Sequence, residues 1–120
     1  MTSDLRATLV KRQLDTVYAH HGSACKFMQS GAEVVPILET VTEEVGTGYA
    51  NAGDFLHIGY SARFRRHELD DNALTLTIGQ TLIPTIPFAG HDAFEITSDP
   101  VPHGRKANQL IVQISPVDIP

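Results

Sequence analysis

Asn72-Ala73-Leu74-Thr75-Leu76-Thr77-Ile78-Gly79 is the stretch from which a fold can be read. Leu74, Leu76 and Ile78 alternate with Thr75 and Thr77 between an Asp70-Asp71-Asn72 turn and a closing glycine. A period of two built from aliphatic and β-branched residues predicts a strand half buried against a core. Just upstream, Ser61 to Leu69 carries Arg63, Arg65, Arg66, His67 and Glu68, a charge density that predicts an exposed basic loop. The expected order is therefore basic loop, acidic turn, buried strand.

Toward the N-terminus, Thr2, Ser3 and Asp4 offer helix N-caps. Leu5, Leu9, Val10, Leu14, Val17, Tyr18 and His21 then recur at helical spacing. An amphipathic helix over about 4–21 follows, ended by Gly22 in the left-handed conformation. Ala24 to Gln29 alternates as a strand, Ser30-Gly31 turns, and Glu33 to Val45 suits one long or bent strand with Pro36 at an edge or bulge. These two segments form an expected hairpin. Gly46 to Gly53, with three glycines, reads as a mobile loop, and Asp54 to Tyr60 as a third strand.

Beyond Gly79, Pro84 and Pro87 argue against a central strand, so Gln80 to Asp92 is expected as an extended loop bearing Leu82, Ile83, Ile86 and Phe88. Ala93 to Thr97 and Gln109 to Ser115 supply the last strands across a polar loop over 98–108, and 116–120 is irregular. One helix followed by about six short strands predicts a single mainly β domain over 1–120. Its small antiparallel barrel would span about 24–115 and be closed or nearly so. Loops this long in a domain this small usually serve binding.

Composition narrows the function classes. The 120 residues suffice for one core burying roughly 65% of the unfolded chain's surface. A net charge of −5 argues against a general nucleic-acid binder. The single cysteine, Cys25, excludes an internal disulfide and a cysteine-rich zinc site, which suits a reducing compartment. No apolar run approaches a membrane span and no secretory leader is evident, so a soluble chain made in the cytoplasm is expected.

No residue pattern points to catalysis. The six histidines, His20, His21, His57, His67, His91 and His103, lack metal-ligand spacing, and His20 and His21 point about 100° apart on a helix. Cys25 reads as a small core residue, the Gly-x-Ser-x-Gly and phosphate-loop patterns are missing, and Asp70-Asp71 are ordinary turn formers. No cofactor is expected. Arg63, Arg65 and Arg66 differ, because three arginines in four positions around Phe64 can pair with acidic groups on a neighbour or with phosphate. A solvated loop is the plainer reading, a protein interface the next, and direct DNA contact the third.

Several of these features resemble the head–tail joining proteins of long-tailed bacteriophages, the lambda-type FII family of head-completion or connector proteins. The likeness lies in the helix ending at Tyr18-Ala19-His20-His21-Gly22, the hairpin over 24–41 around Ser30-Gly31, and the glycine-rich loop before Asp54-Phe55-Leu56-His57-Ile58. It continues through Arg65-Arg66, Leu74 to Gly79 and Phe94-Glu95-Ile96, and spans about 9–114. The Gln80 to Asp92 insertion departs from that pattern in being longer and more apolar.

What the resemblance implies is a non-enzymatic virion protein in the neck of the particle, a stopper, adaptor or related protein, assembled as a homohexameric ring around the DNA channel. Its partners would be copies of itself, the portal or adaptor on the capsid side and the tail terminator or tail tube below. The expected interface residues are Tyr49, Arg63, Arg65, Arg66, Leu82, Ile83, Ile86 and Phe88. The rival expectation is a small soluble barrel binding a ligand or carbohydrate through Tyr49, Tyr60 and the glycine-rich loop. An enzyme using His57 or His67 as acid–base stands third.

Overall fold

The computed structural model describes residues 2–45, 55–104 and 107–119, with side chains for 5, 8–42, 59–104 and 107–119. Helix α1 (Thr2–His21) leads into β1 (Cys25–Phe27), β2 (Glu33–Val34), β3 (Ile37–Val45) and β4 (Phe55–Arg65). A short α2 (Arg66–Asp71) follows, then β5 (Thr81–Pro84), β6 (Phe94–Ile96), β7 (Val101–His103) and β8 (Gln109–Pro116). The strands form one sheet in the order β2-β1-β5-β6-β8-β4-β3, with β7 pairing β8 off this path, and every ladder is antiparallel. The chain is thus mainly β with an N-terminal helix, as expected, with eight strands among the described residues instead of about six. No ladder joins β2 to β3, so the sheet is open.

The sheet curls even so. Its two end strands, β2 and β3, are separated in sequence by Val35 and Pro36 alone. Phe27 of β1 stacks on Phe64 of β4, ring centroids 6.0 Å apart, although the two strands lie four places apart in the order. Inside the curl lie Leu82, Phe94, Ile96, Ala62 and Val112, all fully buried, with Cys25, Val34, Leu38, Leu69, Leu76 and Ile114 around them. Two backbone groups of the linking residues find partners: the Val35 N–H donates to the Glu68 carboxylate, and the Pro36 carbonyl accepts from Ser23 N–H. Pairing each buried polar group is what lets a strand break sit against a core. The bent strand foreseen over 33–45 is therefore two strands, β2 pairing β1 and β3 pairing β4 at the far end.

Asn72 to Gly79 is not a strand. The residues before it wind into α2, and Ala73, at φ 52°, closes that helix. Its N–H donates to Asp70 O at 3.1 Å while Leu74 N–H donates to Leu69 O at 2.8 Å, the paired bonds of a left-handed helix C-cap. Leu74 and Leu76 reach the core from irregular backbone, but Ile78 is 58% exposed. The Gln80 side chain accepts from Thr77 N–H and donates to Thr75 O, occupying groups a neighbouring strand would use.

Four further expectations are corrected. Ser61 to Arg65 belongs to β4, the longest strand, with Ala62 and Phe64 fully buried, so the charge-rich segment alternates between core and polar face. Thr81 to Pro84 is an interior strand. Pro84 is tolerated because β6 pairs only with Thr81 and Leu82, leaving no bond for its missing N–H on that side. The polar loop over 98–108 contains β7. Gly22 ends α1 without a positive φ: a Cβ there would strike the Tyr18 carbonyl and Val35 Cγ1, the latter at 2.6 Å, so glycine is required by close approach. The glycine-rich loop over 46–53 lies outside the described residues.

Two substitutions test these assignments by urea denaturation. Ala73→Gly should stabilise the chain by about 0.5–1 kcal/mol, since an alanine leaves the left-handed region. Gly22→Ala should destabilise it by about 1–3 kcal/mol through overpacking at the helix end.

Candidate functional site

The apolar stripe of α1 is wider than one interface. At 100° per residue, the stripe that runs from Leu5 through Leu9, Val17, Val10 and Leu14 to Tyr18 covers roughly 220° of the helix circumference, whereas a core-facing stripe needs little more than 100°. The structure divides it in two. Tyr18 is fully buried and Leu14 and Val10 half-buried, while Leu5, Leu9, Gln13 and Val17, one ridge at i, i+4 spacing, are exposed, Gln13 and Val17 on the side that borders β8. Leu5 is 64% and Leu9 50% exposed.

A polar cluster fixes the buried face. Arg65, at the end of β4, reaches Asp15 of α1 with one guanidinium nitrogen (2.9 Å) and Glu68 of α2 with another (2.6 Å). Its Cζ lies 5.0 Å from the centre of the Tyr18 ring, a cation–π contact. Tyr18 donates its hydroxyl to Gln109 Oε1 at 2.9 Å, and His67 Nε2 lies 2.6 Å from the same Asp15 oxygen. One arginine thereby ties α1 to β4, α2 and, through Glu68 and Val35, to the link between the sheet's ends. Its Nε is buried without a partner. The planar fork suits this task, since a lysine's point charge cannot address two carboxylates and a ring face together.

Electrostatics follow the geometry. Desolvation pushes the Asp15 carboxyl upward, but the hydrogen bonds and charges of Arg65 and His67 outweigh it and hold the group below its ordinary value. Burial raises the Tyr18 phenol despite the nearby arginines, so it stays a donor. Burial pushes the Cys25 thiol up to about 12, with Glu68 adding to the shift, which keeps it protonated and unreactive at neutral pH.

Two surfaces flank the arm and the sheet. An open groove of about 350 Å³ runs between α1 and the start of β8, lined by Val10, Gln13, Leu14, Val17, Asn108 and Gln109. Elsewhere Tyr60, Phe88, His91 and Phe94 pack edge to face with centroids 5.5 to 6.2 Å apart. Past Tyr60, β4 pairs only with β3, from Val41↔Gly59 to Val45↔Phe55. This two-stranded ribbon extends about 17 Å beyond the sheet. The molecule measures 62 × 35 × 24 Å, and its radius of gyration of 16.5 Å exceeds the roughly 13.6 Å of a compact chain this long.

The structure distributes the expected interface residues unevenly. Arg63 pairs with Glu39 across the β3–β4 ladder, and Arg65 is consumed by the anchor. Arg66 donates through Nε to Ala107 O and is otherwise exposed, so it alone of the three keeps a guanidinium without an acidic partner among the described side chains. Leu82 is fully buried in the core and has no surface to offer a neighbour. Ile83 is half-buried on β5 and Phe88 half-buried in the aromatic cluster, while Ile86 is 79% exposed. Tyr49 and the side chain of His57 lie outside the described residues, and His67 is held by Asp15. Sequence reasoning missed Asp15, Glu68 and Gln109. The available signal was an acid at Asp15, one turn before Tyr18 and about 60° from it around the helix, at the edge of the apolar stripe. No group of three or more His, Cys, Asp or Glu residues among the described residues is arranged to hold a metal ion, and no described helix is long and apolar enough to cross a membrane. No protein-family model matches the chain, and no curated protein matches it significantly.

Arg65→Ala should cost about 3 kcal/mol, because it leaves Glu68 without its cation in a site only 14% exposed. Amide exchange should rise through the second half of α1. Asp15 contributes stability that is fully present above its unfolded pKa near 3.8 and is lost as pH falls through its lower folded value. Acid titration of Asp15→Asn should therefore lack that part of the slope, as followed by helical circular dichroism.

Proposed function

We propose that this chain is a non-enzymatic subunit of a ring in the neck of a tailed bacteriophage, a head-completion or connector protein joining the portal side of the capsid to the tail around the DNA channel. The observation that carries the reading is the shape: a helical arm and a strand ribbon project from a small curled sheet, the arm with Leu5 and Leu9 exposed and the ribbon with no further strand paired to its outer edges among the described residues. A two-stranded ribbon in water is marginal alone, so its pairing over five further residue pairs is most useful where a partner packs on it. The curled sheet, with its end strands two residues apart, fits a nearly closed barrel in the assembled subunit. The acidic balance suits a channel wall that lets DNA pass instead of holding it. Self-association as a hexamer, contact with portal or adaptor and tail terminator or tube, and residence in the virion belong to the same reading. The open groove and the aromatic cluster keep a small-ligand module as the rival.

Sequencing the genes on either side should reveal capsid, portal and tail-tube genes, and the chain should co-purify with the assembled particle at ring stoichiometry. Native mass spectrometry should show the purified chain in oligomers up to six. A permanent monomer with saturable small-molecule binding, encoded among unrelated genes, would overturn the reading in favour of the ligand module.

A further inference from the structure

The open ridge of α1 and the hairpin over 86–91 are two exposed apolar features that the chain leaves uncovered. The ridge presents Leu5, Leu9, Gln13 and Val17 along about 18 Å of helix. The hairpin presents Ile86, the most exposed large apolar side chain among the described residues, followed by exposed Pro87. It is a rigid presentation. Phe88 and His91 exchange backbone bonds of 3.1 and 2.9 Å around Ala89 (φ 51°) and Gly90 (φ 82°), a two-residue turn of the tight hairpin type. Both flanking rings are pinned against Tyr60 and Phe94.

Charge says what each feature fits. Within α1, Arg6, Lys11 and Arg12 outnumber Asp4 and Asp15, a net of +1, so the remainder of the −5 chain carries −6. Arg12 is exposed and lies about 20° from Leu5 around the helix, bordering the ridge. Asp92, exposed and directly after the Phe88↔His91 bridge, borders the hairpin. Two α1 ridges laid together would oppose net-positive helices, whereas ridge on hairpin sets Arg12 toward Asp92 and leucines on Ile86.

We propose that the α1 ridge of one copy seats on the hairpin over 86–91 of a second copy, head to tail. The contact is heterologous, each copy using both surfaces, and such contacts propagate into rings when the rotation closes. The inference rests on the ring reading only in taking the neighbour to be a second copy.

Cysteine cross-linking of the full chain tests it. Leu9→Cys with Ile86→Cys replaces two exposed side chains, and the native Cys25, 2% exposed and protonated, does not compete. Mild oxidation should give a ladder of dimer, trimer and higher species on a non-reducing gel, and each single variant should give none. Dimer from Leu9→Cys alone would mean that the helices pair with each other and would overturn the proposal, as would absence of a ladder. Independently, Arg12→Glu should weaken self-association at least tenfold by sedimentation, and adding Asp92→Arg should restore it; an unchanged equilibrium would overturn the charge pairing. A chain found in the particle neck that fails to cross-link loses this contact and keeps the ring reading. A cross-linking chain encoded among unrelated genes does the reverse.

Discussion

Arg65 sits where three parts of the chain would otherwise be free to move apart. Its guanidinium bonds Asp15 of α1 and Glu68 of α2 and covers the Tyr18 ring, while Glu68 also holds the Val35 amide between the sheet's two ends. Apolar contact alone would not set the angle of α1, because burial is non-directional and only the lower part of the helix touches the sheet. A forked cation with two fixed acceptors is directional. The same residue therefore decides where the arm points and keeps the β2–β3 link against α2. A polar joint at this position carries the cost of desolvating three charges, offset by mutual pairing and incompletely so, since Arg65 Nε has no acceptor.

The fold around that joint is a sheet with two unlike ends. Phe27 and Phe64 meet across the curl because the interior strands set buried residues two apart, Cys25 and Phe27, Ala62 and Phe64, Leu82 and Pro84, Phe94 and Ile96, Val112 and Ile114, and these turn inward. What keeps the ends from zipping together is local: β2 is two residues long and Pro36, at the link, has no N–H to donate. Beyond the core, β3 and β4 continue as a ribbon with nothing of this chain paired along its outer edges among the described residues. A free edge of that length is a surface that proteins either guard or use.

Legibility of the sequence followed the range of the forces involved. α1, β1, the turn at Ser30-Gly31, β6 and β8 were readable because their periodicity and turn chemistry are local. Leu74 to Ile78 showed the same alternation and misled, because the helix cap at Ala73 and the Gln80 side-chain bonds had already claimed that backbone. Ser61 to Arg65 misled in the opposite direction: its charges alternate with Ala62 and Phe64, and a strand with one polar face in a small protein can hold arginines if acids lie on the neighbouring strand, as Glu39, diagonal to Arg63 and opposite Ser61, does. The anchor could not be read at all. It joins positions fifty residues apart, and no spacing in one sequence encodes that pairing. Of the expected interface residues, Ile86 stands fully on the surface and Leu82 fully inside, a difference made by one strand, β5, that the prolines had concealed.

The width of the α1 stripe then has a mechanical meaning. An isolated helix of 20 residues is marginal in water, so its outer half is ordered chiefly because its inner half is held. Asp15 to Leu5 spans ten residues, about 15 Å of rigid helix. Whatever fixes Asp15 therefore fixes the position of Leu5, and a small rotation at the joint becomes a displacement of several ångströms at the tip. A helix with one apolar face could only lie on its own sheet. One with two can be held by its own fold on the first and present the second in a defined place, and here the division between them falls between Leu14 and Tyr18 on one side and Leu9 and Val17 on the other.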